Sequence, residues 1–221
     1  AEMVRFGKNG TDVTSAAIRL SRSLTGKKRI AVCGYHGWQD WYIASNIKNR
    51  NNLNNQLLPN LEANGIPKDL INTSIPFNYN DFDDFNSKIN KHNNKIGVII
   101  MEPQRSMPPN LTFLRHVKNI AKKIGAVFIF DEITSGFHDN FGGKHLVFNI
   151  NPDIAIFSKC IGNGFPIAAI IGKKDVMESA QSSFISSLMW TERTGFAAGI
   201  ATLTKMKKYK VQNKTTFYGK K

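Results

Sequence analysis

The sequence predicts an α/β protein with three layers, α-β-α, around a mostly parallel sheet. Short apolar runs recur at 29–33, 96–101, 126–130 and 154–157, each bounded by turn residues. Strands buried on both faces of a parallel sheet read this way. Amphipathic stretches of helical spacing alternate with them, as crossover units require. Three of the runs also stop at a charged residue: Glu102, Asp131 and, one serine later, Lys159. In open α/β sheets the ligand lies beyond the carboxyl ends of the strands, so these side chains point to a site.

Taken in order, residues 3–11 lead into a first helix capped by Thr11 or Asp12. Ala16, Ala17, Leu20 and Leu24 repeat along it, and Thr25-Gly26 stops it. A strand at Arg29–Cys33 runs into the loop GYHGWQDW. Residues 43–76 are rich in asparagine and hold Pro59 and Pro67; they predict an irregular excursion with one short helix. Residues 81–91 form a helix with Phe82, Phe85 and Ile89 inward. The strand Ile96–Met101 ends on Glu102-Pro103. The helix Leu111–Ile124 carries Leu114, Val117, Ile120, Ala121 and Ile124 on one face, and Gly125 stops it. After the strands at 126–130 and Ile154–Phe157 come a strand at 166–171, a helix at 173–180, an extended stretch at 183–190 and a final helix at 195–208. The chain opens on Ala1 in what reads as mid-structure and is expected to be a piece of a longer protein.

The 221 residues are 41% hydrophobic, an ordinary globular composition, with no apolar run long enough to cross a membrane. The net charge of +14 comes from 30 Lys and Arg against 16 Asp and Glu. Those lysines are scattered among asparagines, as in KINKHNNK, and cluster only in the tail KMKKYK. That pattern describes a solvated surface, not a nucleic-acid module or a membrane patch. Cys33 and Cys160 fit neither a metal site nor a disulfide framework and are expected as reduced thiols in the cytoplasm.

Each candidate site residue also has an ordinary reading. Asp131 could be a cap or surface carboxylate; a buried strand before it would instead fix it against a ring nitrogen and keep that nitrogen protonated. Lys159 could be a snorkelling surface lysine. Preceded by Ile-Phe-Ser and followed by Gly162 and Gly164, it is expected to be desolvated, which would lower its pKa toward that of a nucleophilic amine. Tyr35 and His36 are either half-buried loop aromatics or a stacking platform for a planar ring. Gly10-Thr11 opens a helix and serves as a plain cap or as a phosphate site. Glu102 falls at the same predicted edge. The set of loop 9–11, loop 34–37, Glu102, Asp131 and Lys159 describes a pocket for a phosphorylated ring cofactor.

In the order NGTD, GYHG, EP, FDEITSGF, SKCIGNGFPIAAIIG, the chain resembles class III aminotransferases of fold type I, most closely the glutamate-1-semialdehyde aminomutase-like group. The resemblance covers residues 5–206. It implies the large cofactor-binding domain of fold type I enzymes at 1–208, truncated at both ends, with 209–221 leading toward a small domain. It implies pyridoxal 5'-phosphate as cofactor, Lys159 as the Schiff-base lysine and Asp131 as partner of the pyridine nitrogen. Ile133 and Tyr35 would pack the two ring faces, and Gly10 and Thr11 would bind the phosphate. Thr191, in WTERTG, matches a threonine that reaches the phosphate of the neighbouring subunit, which implies a homodimer with a shared site. The activity implied is transfer of an amino group between a small-molecule donor and a carbonyl acceptor. The alternatives are intramolecular transfer by an aminomutase, or an inactive fragment or basic binding module. QRSMPP after Glu-Pro, and WTERTG, depart from the aminomutase pattern and suit a transaminase with other substrates.

Overall fold

The structure, a computed structural model, describes residues 1–186 and 192–219. In chain order its main elements are β1 (Met3–Gly7), α1 (Gly10–Thr25), β2 (Arg29–Cys33), α2 (Asp40–Ile43), β3 (Ser74–Pro76), α3 (Phe82–His92), β4 (Ile96–Met101), α4 (Leu111–Ile124), β5 (Val127–Asp131), α5 (Lys144–Phe148), β6 (Ile154–Phe157), β7 (Ala168–Gly172), α6 (Lys174–Glu178), α7 (Thr194–Tyr209) and α8 (Val211–Gly219). The strands form a 7-stranded sheet in the order β1-β7-β6-β5-β4-β2-β3. β2 to β6 pair in parallel, whereas β7 is antiparallel to both of its neighbours. The carboxyl ends of β1, β2, β4, β5 and β6 therefore meet along one edge.

Every residue of β4, β5 and β6 is buried, because both faces of the sheet are covered. Alternation along the strands divides their side chains. Val32, Ile100, Ile129 and Ile156 face α1 and α6, packing on Val13, Ala17, Leu20 and Met177. Ile99, Met101, Phe128 and Phe130 face α3 and α4, packing on Phe85, Ile89, Phe113 and Val117. Each such side chain contributes roughly 1.5–3 kcal/mol by leaving water. These are the three layers the sequence predicts.

Several elements differ from expectation. β1 is a strand where only a lead-in was expected: Arg5 breaks the apolar run, and Val4 and Phe6 remain 47% and 36% exposed on this edge. α1 begins at Gly10, earlier than a Thr11 or Asp12 cap would allow. Its N-cap is Asn9, whose side chain accepts from the Asp12 amide while the Asp12 carboxylate accepts from the Asn9 amide. Leu24, expected inward, is exposed in the last turn, two residues before the C-cap Gly26. The excursion at 43–76 is held by side-chain amides: Asn46 bonds the carbonyls of Arg50 and Leu61 and the amide of Leu53. Residues 183–186 have no regular structure, and the rest of the stretch expected to be extended lies outside the described residues. α5 and α8 were not foreseen.

Candidate functional site

At the end of β5 the chain turns two consecutive carboxylates in different directions. Asp131 is 3% exposed. Its Oδ1 accepts from the Ile133 amide at 3.0 Å, and its Oδ2 lies 2.8 Å from Nδ1 of His36. A carboxylate only accepts, so Nδ1 of His36 carries the hydrogen. The His36 ring is buried against Trp41 and Tyr42, and its Nε2 is buried without a partner among the described residues. Glu132 is fully buried on the other side. Its oxygens accept from the amides of Lys144 and His145, from Nδ1 of His145 and from Oγ of Ser135. Burial alone would raise its pKa, but the hydrogen bonds from His145, Ser135 and Lys144 hold it below the usual value.

Lys159 follows β6. It adopts a left-handed backbone with φ of 46°, a conformation that is strained for a residue with a Cβ and that clusters at functional sites. Its Nζ donates to Oγ1 of Thr134 at 2.9 Å. Contrary to expectation the lysine is exposed, because it stands on a 3₁₀ turn, Lys159–Ile161, above an open cleft.

That cleft holds about 700 Å³. Gly10, Thr11, Tyr35, His36, Asp131, Ile133 and Lys159 all line it, so the structure brings together seven of the residues singled out from the sequence. The capping box engages the amides of Asn9 and Asp12, and the Val13 amide returns to the Asn9 carbonyl. None of these bonds uses the amides of Gly10 or Thr11 at the helix mouth. A Cβ on Gly10 would come within 2.8 Å of Cδ1 of Ile133, so any larger residue there would have to displace the tip of the Ile133 side chain.

Glu102 does not line the cleft. It is drawn to the neighbouring loop, where Oε2 accepts from the Tyr35 amide at 2.9 Å and from Nη1 of Arg105 at 2.6 Å. Burial pushes its pKa up, against the pull of His36, the Tyr35 N–H and Arg105. It thereby anchors the backbone under Tyr35, whose side chain is 45% exposed. Gln56 and Tyr42 fix the adjacent Gly34 through its amide and its carbonyl. Thr191 lies outside the described residues. Sequence reasoning missed Thr134, the hydrogen-bond partner of Lys159, although its place three residues after Asp131 was a usable signal. It also took His36 for a stacking residue, whereas the ring holds Asp131. A separate pocket of about 530 Å³, lined by Phe137, Cys160, Met206 and Tyr209 among others, contains none of the candidates. No group of three or more His, Cys, Asp or Glu is arranged to hold a metal among the described residues, nor is any helix there long and apolar enough to cross a membrane.

A family model for class-III aminotransferases matches residues 1–221. The chain belongs to that family. Among curated relatives, it is 32% identical to the 3-aminobutyryl-CoA aminotransferase of Cloacimonas acidaminovorans (strain Evry), over 100% of this chain and 51% of the relative. It is also 32% identical to a glutamate-1-semialdehyde 2,1-aminomutase of Clostridium botulinum (strain Alaska E43 / Type E3), over 98% of this chain and 51% of that protein. Among solved structures, the FumI protein of Sphingopyxis sp. MTA144 in its PLP internal aldimine form superposes with a TM-score of 0.80 at 26% identity, covering 94% of this chain and 48% of that one. An omega-transaminase from Sphaerobacter thermophilus gives 0.80 at 25% identity, covering 92% and 49%. The chain thus spans about half the length of the curated relatives it matches. Class-III aminotransferases and the aminomutases within them are what the motif order implied, and the mostly parallel sheet is the fold these neighbours share.

Proposed function

We propose that this chain is the cofactor-binding part of a pyridoxal 5'-phosphate-dependent transaminase, with Lys159 as the residue that binds the cofactor aldehyde. The observation that carries the reading is the meeting of Asp131, Lys159 and the α1 N-terminus on one cleft. These residues fit a phosphorylated, planar, nitrogen-containing ring. The helix mouth offers amides to a phosphate, Ile133 and Tyr35 offer apolar surface to a ring, and Asp131 offers a buried carboxylate to a ring nitrogen. When bound, pyridoxal phosphate supplies an electron sink for the bond broken at the substrate carbon. Asp131 would hold a proton on the ring nitrogen, and His36 orients Asp131 through Nδ1. Thr134 positions the Lys159 amine, which acts as the base at the substrate carbon and then as the acid.

Small-molecule amines and carbonyl compounds are the substrates of this reading, and residues 1–208 are its large domain, with 209–221 leading onward. A homodimer in which Thr191 reaches the neighbouring phosphate belongs to the same reading. The unbridged Cys33 and Cys160 fit a reducing cytoplasm. An aminomutase is the second reading, favoured by the relatives that carry that name. The full-length protein, loaded with cofactor and given glutamate 1-semialdehyde, separates the two. Product that forms only when an amino donor is added supports the transaminase; rapid formation of 5-aminolevulinate with no donor supports the aminomutase. A protein that neither takes up cofactor nor exchanges amino groups overturns both.

A further inference from the structure

Beside the cleft lies a second pocket of about 420 Å³ that shares Tyr35 and Thr134 with it. Because Thr134 accepts the hydrogen bond of Lys159 Nζ, this pocket opens where a substrate reacting at that amine would extend. Every residue lining it has a polar or charged side chain. Its charges cancel in pairs: Arg105 with Glu102, and Lys144 with Asp139. The other terminal nitrogen of Arg105, Nη2, faces the carbonyls of Asn55 and Gln56, so both arms of the guanidinium are engaged. A carboxylate or phosphate entering here would have to give up water and compete with Glu102 or Asp139 for a cation. What the pocket leaves unengaged among the described residues is the Gln104 amide, the Ser106 hydroxyl and the His138 imidazole, together with Oδ1 of Asp139, buried without a partner and able to accept from a hydroxyl but repelling an anion. The first three groups both donate and accept, as hydroxyls do.

Resting on the transaminase reading, we infer that this pocket receives the distal part of an uncharged, hydroxylated carbonyl substrate, a sugar-like aldehyde or ketone, whose hydroxyls bond Gln104, Ser106 and His138. The exchange balances between the two substrates: the donor gives up its amino group and becomes a carbonyl compound, the acceptor carbonyl becomes an amine, and no outside oxidant or reductant enters. Sites built to bond a substrate hydroxyl discriminate against analogues that lack it, because their own polar groups are left unpaired.

The test offers the cofactor-loaded, full-length protein matched acceptors with one saturating amine donor: erythrulose and dihydroxyacetone, their deoxy counterparts butanone and acetone, and the carboxylates pyruvate and succinic semialdehyde. The expected kcat/KM is about tenfold or more higher for each hydroxylated acceptor than for its deoxy counterpart, a net gain on the scale of one or two hydrogen bonds. It is expected to exceed that of both carboxylates. In Gln104→Leu and His138→Phe the ratio of hydroxylated to deoxy kcat/KM should fall roughly threefold to tenfold. Preference for the carboxylates, or ratios unchanged in both variants, overturns the inference and leaves the transaminase reading standing. Failure of every amine to convert the bound cofactor overturns the transaminase reading, and this inference with it.

Discussion

Replacing Glu132 by alanine removes one buried carboxylate and strands four donors at once. They are the amides of Lys144 and His145, Nδ1 of His145 and Oγ of Ser135. The bonds to Lys144 and His145 tie the start of α5, a helix of 5 residues, back to the end of β5. Each buried donor left unsatisfied costs about 1–3 kcal/mol, so losing these partners together should cost about 3 kcal/mol or more. That is a large part of the roughly 5–15 kcal/mol that holds an ordinary domain folded. Glu132→Gln keeps one acceptor oxygen but turns an NH₂ toward N–H donors, so it should recover only part of the loss. Urea denaturation at neutral pH measures both variants. The same experiment repeated toward low pH adds a second readout. The folded-state pKa of Glu132 lies below the usual 4.5, so at low pH the unfolded chain binds the proton more readily. The stabilisation is therefore complete above about 4.5 and is lost as the pH falls through the folded value, at up to about 1.4 kcal/mol per pH unit. The alanine variant should lack this component of the slope. A loss below about 1 kcal/mol at neutral pH, with an unchanged acid slope, would refute the reasoning.

Gly136→Ala should destabilise the chain by about 1–3 kcal/mol in the same assay, because the new Cβ would come within 2.5 Å of the Phe157 ring and 2.7 Å of the Glu132 carbonyl oxygen, which is backbone and cannot move aside. Gly10→Ala meets only the tip of Ile133, at 2.8 Å, so the cost should fall on the cleft instead. Cofactor affinity, read by fluorescence titration, should weaken about tenfold, which is about 1.4 kcal/mol, while the urea midpoint moves little. The buried Cys33 thiol, its pKa pushed up by burial, should react with a thiol-specific dye only after unfolding.

The sheet centre was legible because strands covered on both faces must be written as unbroken apolar runs, and β4, β5 and β6 are. The edge was not: β1 alternates half-buried and exposed positions over only 5 residues, with Arg5 in the middle. The reversed direction of β7 also left no trace, since an apolar run reads the same whichever way it is paired. α5 is held by Glu132 and α8 buries no residue, so neither shows the periodic apolar face by which α4 was found. At the site, Asp131 and Lys159 could be read from their positions at strand ends. Their partners could not. His36 and Asp131 are 95 positions apart, and only folding brings them together. Glu102 shared the strand-end signal yet turned away from the cleft, toward Arg105 and the Tyr35 amide.

The central claim, that Lys159 is the lysine bonded to the cofactor, is tested most directly by trapping. Full-length protein loaded with pyridoxal 5'-phosphate is reduced with borohydride, digested and mapped by mass spectrometry. The account predicts a phosphopyridoxyl group on Lys159 and on no other lysine. A label on a different lysine, or an unchanged cofactor spectrum in Lys159→Ala, would contradict it.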